Sequence, residues 1–159
     1  MNPLIRRAQP ADAPLVADLD RLVQATPWPQ SRIRAACAGG EDDTPACFIA
    51  TGRAGCIDGF LVYSLAPGEG TIENMGVAES RRGRGIGRAL LRAACADMHR
   101  RGAQRCLLEV RVSNVAARAL YISEGFVLDG RRVDYYRTPD GREDALLMSR
   151  RLQKDRVNG

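Results

Sequence analysis

One histidine, His99, is all that this chain of 159 residues contains. Its solitude removes Ser–His–Asp and Cys–His nucleophilic catalysis, and histidine-based metal sites, from consideration. His99 itself is expected exposed near a helix end, where it needs no role. Lysine is scarcer still relative to its partner residue, because 23 of the 24 basic side chains are arginine. Aromatics make up only 5% of the chain, and none falls within residues 81–105, where eight arginines accompany a single acid, Asp97. A base-stacking RNA module interleaves rings with charge, so this composition disfavours one. The arginine patch alone suits an anionic ligand, an RNA or a ribosomal surface. No apolar run reaches the roughly 18 residues of a membrane span. The start, Met1–Arg7, lacks the apolar centre of a signal peptide, so the cytoplasm is the expected location. The five cysteines are odd in number, scattered and without C-x-x-C spacing. They read as reduced, mostly buried small hydrophobes rather than a disulfide or zinc framework, and no metal is expected.

What is present suits a globular enzyme or binding domain. The length fits one domain with a sizeable core over residues 1–152, followed by a polar tail at 153–159. Hydrophobic residues at 45% and charged residues at 27% are ordinary values for such a domain. Apolar periodicity and turn residues predict strands at Leu4–Ala8, Ala46–Thr51, Ile57–Leu65, Thr71–Val77, Arg105–Val112, Phe126–Arg132 and Asp144–Arg151. They predict helices after Asp12 as cap, at Ser31–Ala38, from Gly85 to Arg101 and over Asn114–Glu124. The order βααβββαβαββ describes a single mixed α/β domain. Its central twisted sheet is mostly antiparallel and flanked by helices.

The most informative stretch is Asn74-Met75-Gly76-Val77-Ala78-Glu79-Ser80-Arg81-Arg82-Gly83-Arg84-Gly85-Ile86-Gly87-Arg88. An apolar strand runs into a loop with alternate glycines, and an amphipathic helix follows immediately. Glycine permits close backbone approach, and a helix start offers unpaired N–H groups at the positive end of its dipole. Together they form an anion site suited to a pyrophosphate. A nucleoside-triphosphate loop would need Gly-Lys followed by Ser or Thr, whereas Gly87 precedes Arg88-Ala89. A dinucleotide fingerprint would space its glycines G-x-G-x-x-G near the chain start, and here the third glycine comes one position early.

Two further residues carry candidate chemistry. Glu109 places one carboxylate inside the apolar strand Cys106-Leu107-Leu108-Glu109-Val110. Burial there would push it toward the range useful to a general base, while pairing with Arg111 or another arginine on a sheet face is the alternative. Asn114 is placed to cap a helix, and Tyr121 follows seven residues later, two turns on and over the same face. Its phenol is either a proton donor or a core side chain packed with Leu120 and Phe126.

The segment Arg82-x-x-Gly85-x-Gly87 after a strand ending in Val77 resembles the coenzyme A pyrophosphate loop of the GCN5-related N-acetyltransferase superfamily. Leu108-Glu109-Val110-Arg111-Val112-Ser113-Asn114, Ala119-Leu120-Tyr121-Ile122-Ser123-Glu124-Gly125-Phe126, Tyr135-Tyr136 and Asp140–Ala145 are similar to the RimI branch, over residues 70–150 in register. Pro27-Trp28 is similar to a Pro-Trp in the N-terminal half of that branch. The resemblance implies acetyl-CoA as cosubstrate, no metal, and direct transfer in a ternary complex to a protein N-terminus, the N-terminal alanine of a small-subunit ribosomal protein. It implies Glu109 as proton acceptor, Tyr121 as proton donor and coenzyme contact, and Asn114 as a further coenzyme contact. Met75, Gly76 and Val77 would meet the thioester, and Arg82, Gly83, Arg84, Gly85, Ile86, Gly87 and Arg88 the pyrophosphate. Trp28, Glu73, Tyr135 and Tyr136 are candidate acceptor contacts, the tyrosines being placed in the loop joining the last two strands.

The chain departs from that pattern in places. Arg82 stands where glutamine is common, residues 1–70 match loosely, and Glu73 rivals Glu109 as the base. Two alternatives stay open: acetylation of a small-molecule amine or a lysine, and a non-catalytic RNA- or ribosome-binding module built on the arginine patch. Membrane binding is not expected, nor a direct nucleic-acid role for the enzyme, and oligomeric state is not legible.

Overall fold

The computed structural model describes residues 3–153, and the remainder of the expected polar tail lies outside the described residues. Seven strands form one sheet: β1 (Leu4–Arg7), β2 (Ala46–Thr51), β3 (Ile57–Ala66), β4 (Glu69–Val77), β5 (Arg105–Arg111), β6 (Val127–Thr138) and β7 (Gly141–Arg151). Their spatial order is β1-β2-β3-β4-β5-β7-β6, antiparallel throughout except for β4 beside β5. Among the described residues four α-helices flank the sheet: α1 (Ala13–Val23), α2 (Gln30–Ala38), α3 (Ile86–Arg100) and α4 (Val115–Ser123). This is the mixed α/β architecture read from the sequence. No helix among the described residues is long and apolar enough to cross a membrane.

The central strand β3 explains the layering. Phe60-Leu61-Val62-Tyr63 is buried without interruption, as a strand covered on both faces must be. Phe60 and Val62 join Val16, Leu19, Ile33 and Cys37 in the core under α1 and α2. Leu61 and Tyr63 join Leu90, Leu91, Ala94 and Met98 in the core under α3. The two faces therefore serve different helices.

Local differences from the sequence reading have plain causes. Asp12 does not cap α1 with its side chain; its carboxylate instead accepts the Gln9 N–H at 2.7 Å and pairs with Arg6 at 2.8 Å. β6 extends to Thr138 and β7 begins at Gly141, so the hairpin turn is only Pro139-Asp140. Tyr135 and Tyr136 consequently lie within β6, not in a connecting loop. Their arginine-rich neighbours carry no clean alternation, which hid the strand.

The feature that creates a site is the junction of β4 and β5. Their parallel ladder covers only Glu69–Ile72 against Arg105–Leu108, after which β4 has no strand partner on that side among the described residues. The divergence begins at a bulge. Val62 faces Asn74 while Tyr63 faces Ile72, so Glu73 is the extra residue. A bulge bends its strand and strengthens local twist, which carries Glu73–Val77 away from β5.

Candidate functional site

The bulge also breaks the inside–outside alternation of β4, so Glu73 and Asn74, consecutive in sequence, both turn toward α1 and α2. Asn74 donates to the buried Asp20 carboxylate at 2.9 Å, which also accepts the Trp28 N–H at 2.7 Å. Gln24 donates to the Asn74 side chain at 2.9 Å and to the Met75 carbonyl at 2.7 Å. That carbonyl lies on the segment of β4 that β5 leaves, and a side chain from the end of α1 holds it instead. Sequence reasoning missed Asp20 and Gln24. Their signal was two polar residues in the apolar stripe of Val16, Leu19 and Val23.

Where the strands part, a cleft of about 820 Å³ opens. β4 contributes Met75, Gly76 and Val77; the loop and start of α3 contribute Arg82, Gly83 and Gly85–Arg88; α4 contributes Asn114, Ala117 and Leu120. Gly83 and Gly85 have φ of 77° and 79°, a backbone region that favours glycine. Ala89 makes the first bond of α3, to the Gly85 carbonyl at 3.0 Å, which leaves the N–H groups of Ile86, Gly87 and Arg88 without intrahelical partners. Arg84 is exposed, while Arg82 reaches back to the Val77 carbonyl at 3.3 Å. Donors, dipole and the exposed Arg84 guanidinium at one end of an open cleft fit a polyanion.

Arg88 is less free. It pairs with Glu124, which Arg92 also binds at 3.0 Å. The Arg92 and Arg88 bonds hold the Glu124 carboxyl below its ordinary range despite burial. This clamp ties the end of α4 to α3 across the cleft wall. Asn114 caps α4 as read from the sequence, accepting the Ala117 N–H at 3.2 Å, and it lines the cleft as well.

Tyr121 sits one position round α4 from Leu120. It is 6% exposed and meets the Phe126 ring at 5.7 Å, and its hydroxyl has no hydrogen-bond partner among the described residues. Burial pushes the phenol up to about 12, so it stays protonated in neutral solution. The side chain is thus a core residue that carries an uncommitted O–H, and it is not among the residues that line the cleft.

The burial expected of Glu109 is not found. Leu108 and Val110 take the core positions under α3, and alternation turns Glu109 to the other face of the sheet, with about a third of its side chain exposed. There it pairs with Arg132 at 3.3 Å, the arginine alternative left open by the sequence. Arg132 lies over the Tyr135 ring at 5.2 Å and Arg111 over the Tyr136 ring at 4.2 Å. The rings themselves meet edge to face at 5.1 Å. Glu109, Tyr135 and Tyr136 therefore share one corner of the sheet. Glu73 faces the same side. It accepts from Ser64 at 2.7 Å and pairs at 3.3 Å with Arg32, whose guanidinium rests on Trp28 at 3.5 Å.

The arrangement is two-sided. The arginine and glycine loop lies at one end of a cleft on the α3 and α4 side, and two carboxylates with three aromatics lie on the opposite face. Trp28, Glu73, Glu109, Tyr135 and Tyr136 are not among the residues that line the cleft.

Comparison with known proteins agrees with that geometry. The family model for the acetyltransferase (GNAT) family matches residues 13–126. The [ribosomal protein bS18]-alanine N-acetyltransferase of Escherichia coli is 33% identical over 145 residues, covering 91% of this chain and 95% of the relative. The crystal structure of the ribosomal-protein-S18-alanine N-acetyltransferase from Escherichia coli superposes with a TM-score of 0.84 at 31% identity, covering 99% of each chain. Streptothricin acetyltransferase of Streptomyces lavendulae is 39% identical over 115 residues, covering 70% of this chain and 61% of the relative. A split sheet, a glycine-rich helix start and these likenesses have one reading: the chain belongs to the GNAT family of acetyltransferases and transfers acetyl groups to amines.

Proposed function

We propose that this enzyme acetylates the α-amine of a protein N-terminus, with the N-terminal alanine of a small-subunit ribosomal protein as its acceptor. The observation that carries the proposal is the face of the sheet opposite the cleft, where the carboxylates Glu73 and Glu109 stand among the rings of Trp28, Tyr135 and Tyr136. The E. coli relative, similar over nearly its whole length, supports the choice of acceptor.

The residues present fit acetyl-CoA. Arg82, Arg84, Arg88 and the N–H groups of Gly83–Gly87 would hold the pyrophosphate, and Asn114 would contact the coenzyme from α4. Acetyl-CoA supplies a thioester, an acyl group on a good leaving sulfur. Backbone N–H groups near Met75, Gly76 and Val77 polarise the acyl oxygen and steady the charge it gains. Anchoring at the loop positions the reacting carbon by remote binding energy. Glu109 takes the proton from the acceptor ammonium, directly or through water, and the freed nitrogen pair bonds the acyl carbon as the carbon–sulfur bond breaks. Tyr121 gives its proton to the departing sulfur. Trp28, Glu73, Tyr135 and Tyr136 form the walls that receive the acceptor.

A second reading has its own observation, the likeness to streptothricin acetyltransferase, and it makes the acceptor a small-molecule amine. Mass spectrometry after incubation with acetyl-CoA and a peptide panel separates the two. The panel starts with alanine, serine or methionine, with internal lysine in some members. One acetyl on the α-amine of the alanine-starting ribosomal peptide is the expected result. Coenzyme binding with no peptide modified moves the acceptor to a small amine.

A further inference from the structure

Adjacent residues of a strand point to opposite faces, yet the rings of Tyr135 and Tyr136 touch. The exception has a visible cause. Arg132 pairs with Ala145 and Tyr136 with Glu143, so Val133, Asp134 and Tyr135 on β6 oppose the single residue Asp144 on β7. Within this wide bulge Asp134 has φ of 53°, a left-handed conformation that Asp tolerates better than most residues. That extra turn of backbone brings Tyr135 round to the face of Tyr136, Arg132 and Glu109.

Asp144 holds the bulge from behind. Its carboxylate accepts the Asp134 N–H at 2.8 Å and binds the Arg131 guanidinium, both of which keep its carboxyl below the ordinary range. Arg142 adds a 3.5 Å contact to the Asp134 carbonyl. Asp144 lies on the same face as Leu146, a core residue under α3, and so on the side of the sheet away from the tyrosine rings. We propose that Asp144 is a positioning residue. By fixing the left-handed Asp134 it sets both tyrosine rings on the acceptor face and so determines how tightly a peptide N-terminus is held, an inference that rests on the peptide reading above.

The test compares wild type with Asp144→Ala, Asp144→Asn and Asp134→Val in steady-state assays on the alanine-starting peptide. Each variant also has its Tyr135–Tyr136 ring contact read by nuclear Overhauser effects. Loss of a charged hydrogen bond predicts a roughly tenfold rise in peptide KM, with kcat and acetyl-CoA KM within about twofold of wild type, and loss of the ring contact. Asp134→Gly, which accepts positive φ, keeps wild-type KM. Asp134→Val reaches the same outcome with Asp144 in place, since a β-branched residue is strained there. A wild-type peptide KM and an intact ring contact in Asp144→Ala overturn the inference alone. A wild type that binds acetyl-CoA but modifies no peptide overturns the peptide reading, and with it the specificity role assigned to Asp144.

Discussion

Glu73 and Glu109 are the first residues beyond the last β4–β5 pair, Ile72 with Leu108, so the two acids stand on opposite lips of the same opening. Each is met by one arginine, Arg32 and Arg132, and each arginine rests on an aromatic ring, Trp28 and Tyr135. They differ in one respect. Glu73 also accepts from Ser64, whereas Glu109 makes no other hydrogen bond among the described residues. The less committed carboxylate is the better placed to receive a proton.

Glu109→Gln is accordingly expected to lower kcat by roughly a hundredfold or more, the usual range for removing a general base. Glu73→Gln should change kcat by much less and act mainly on acceptor KM. Steady-state kinetics on both variants, with acetyl-CoA protection against heating as the folding control, checks the assignment. The reverse ranking would make Glu73 the base.

Tyr121→Phe should leave stability nearly unchanged, because the hydroxyl it loses has no partner among the described residues. Turnover should fall by roughly a hundredfold if the phenol protonates the leaving sulfur. Tyr121→Ala should destabilise by about 3–5 kcal/mol through the cavity left against Phe126. The contrast between the two, read by urea unfolding and initial rates, separates packing from proton donation.

Alkaline pH should also register that phenol. Tyr63 and Tyr121 are both pushed from 10.0 to about 12, mainly by burial. The folded state then holds these protons more tightly than the unfolded chain. Their stabilisation is present in full below pH 10 and drains away as pH rises to 12. Urea midpoints across that window should decline, and less steeply in Tyr121→Phe.

The arginine and glycine loop is tested by ligand-induced stability. Acetyl-CoA at about a hundred times its Kd should add about 2.7 kcal/mol to wild type. Gly85→Ala puts a side chain at φ 79° and Arg84→Ala removes an exposed cation; both should need more acetyl-CoA for the same thermal shift. Raising the salt should narrow the difference for Arg84→Ala, since screening weakens exposed charge.

Acid should act through Glu124. Arg92 and Arg88 hold its carboxyl below the ordinary 4.5, so its contribution is complete above that pH and is lost as pH falls through the depressed value. Glu124→Gln should lower the melting temperature at neutral pH and flatten the acid limb of the profile, measured by circular dichroism.

Most elements were legible from the sequence because their signals are local. An apolar run ended by the turn at Gly52–Gly55 gave β2 at Ala46–Thr51, and glycine and asparagine bounded α3 and α4. The loop before Ile86 was legible for the same reason, since its chemistry needs only consecutive backbone. Glu109 was placed on the correct strand, with burial and an arginine partner on a sheet face both left open, and the structure shows the arginine partner. Two hydrophobic neighbours imply burial only if both faces of a strand are covered, and this corner of the sheet carries side chains of β6 instead of a helix. The ring contact of Tyr135 with Tyr136, the bulge at Glu73 and the network of Asp20, Asn74 and Gln24 all depend on register between distant strands, which no local pattern encodes.

The seven strands are in effect two blades riveted at one end, β1–β4 in one and β5, β7 and β6 in the other. The rivet is four residue pairs long. Lengthening it by one pair would close the aperture, and shortening it would widen the gape, without replacing any side chain that faces the interior. The calibre of this opening is therefore written in strand register, and a single insertion or deletion near Glu73 would alter what passes between the blades more than most substitutions along its walls.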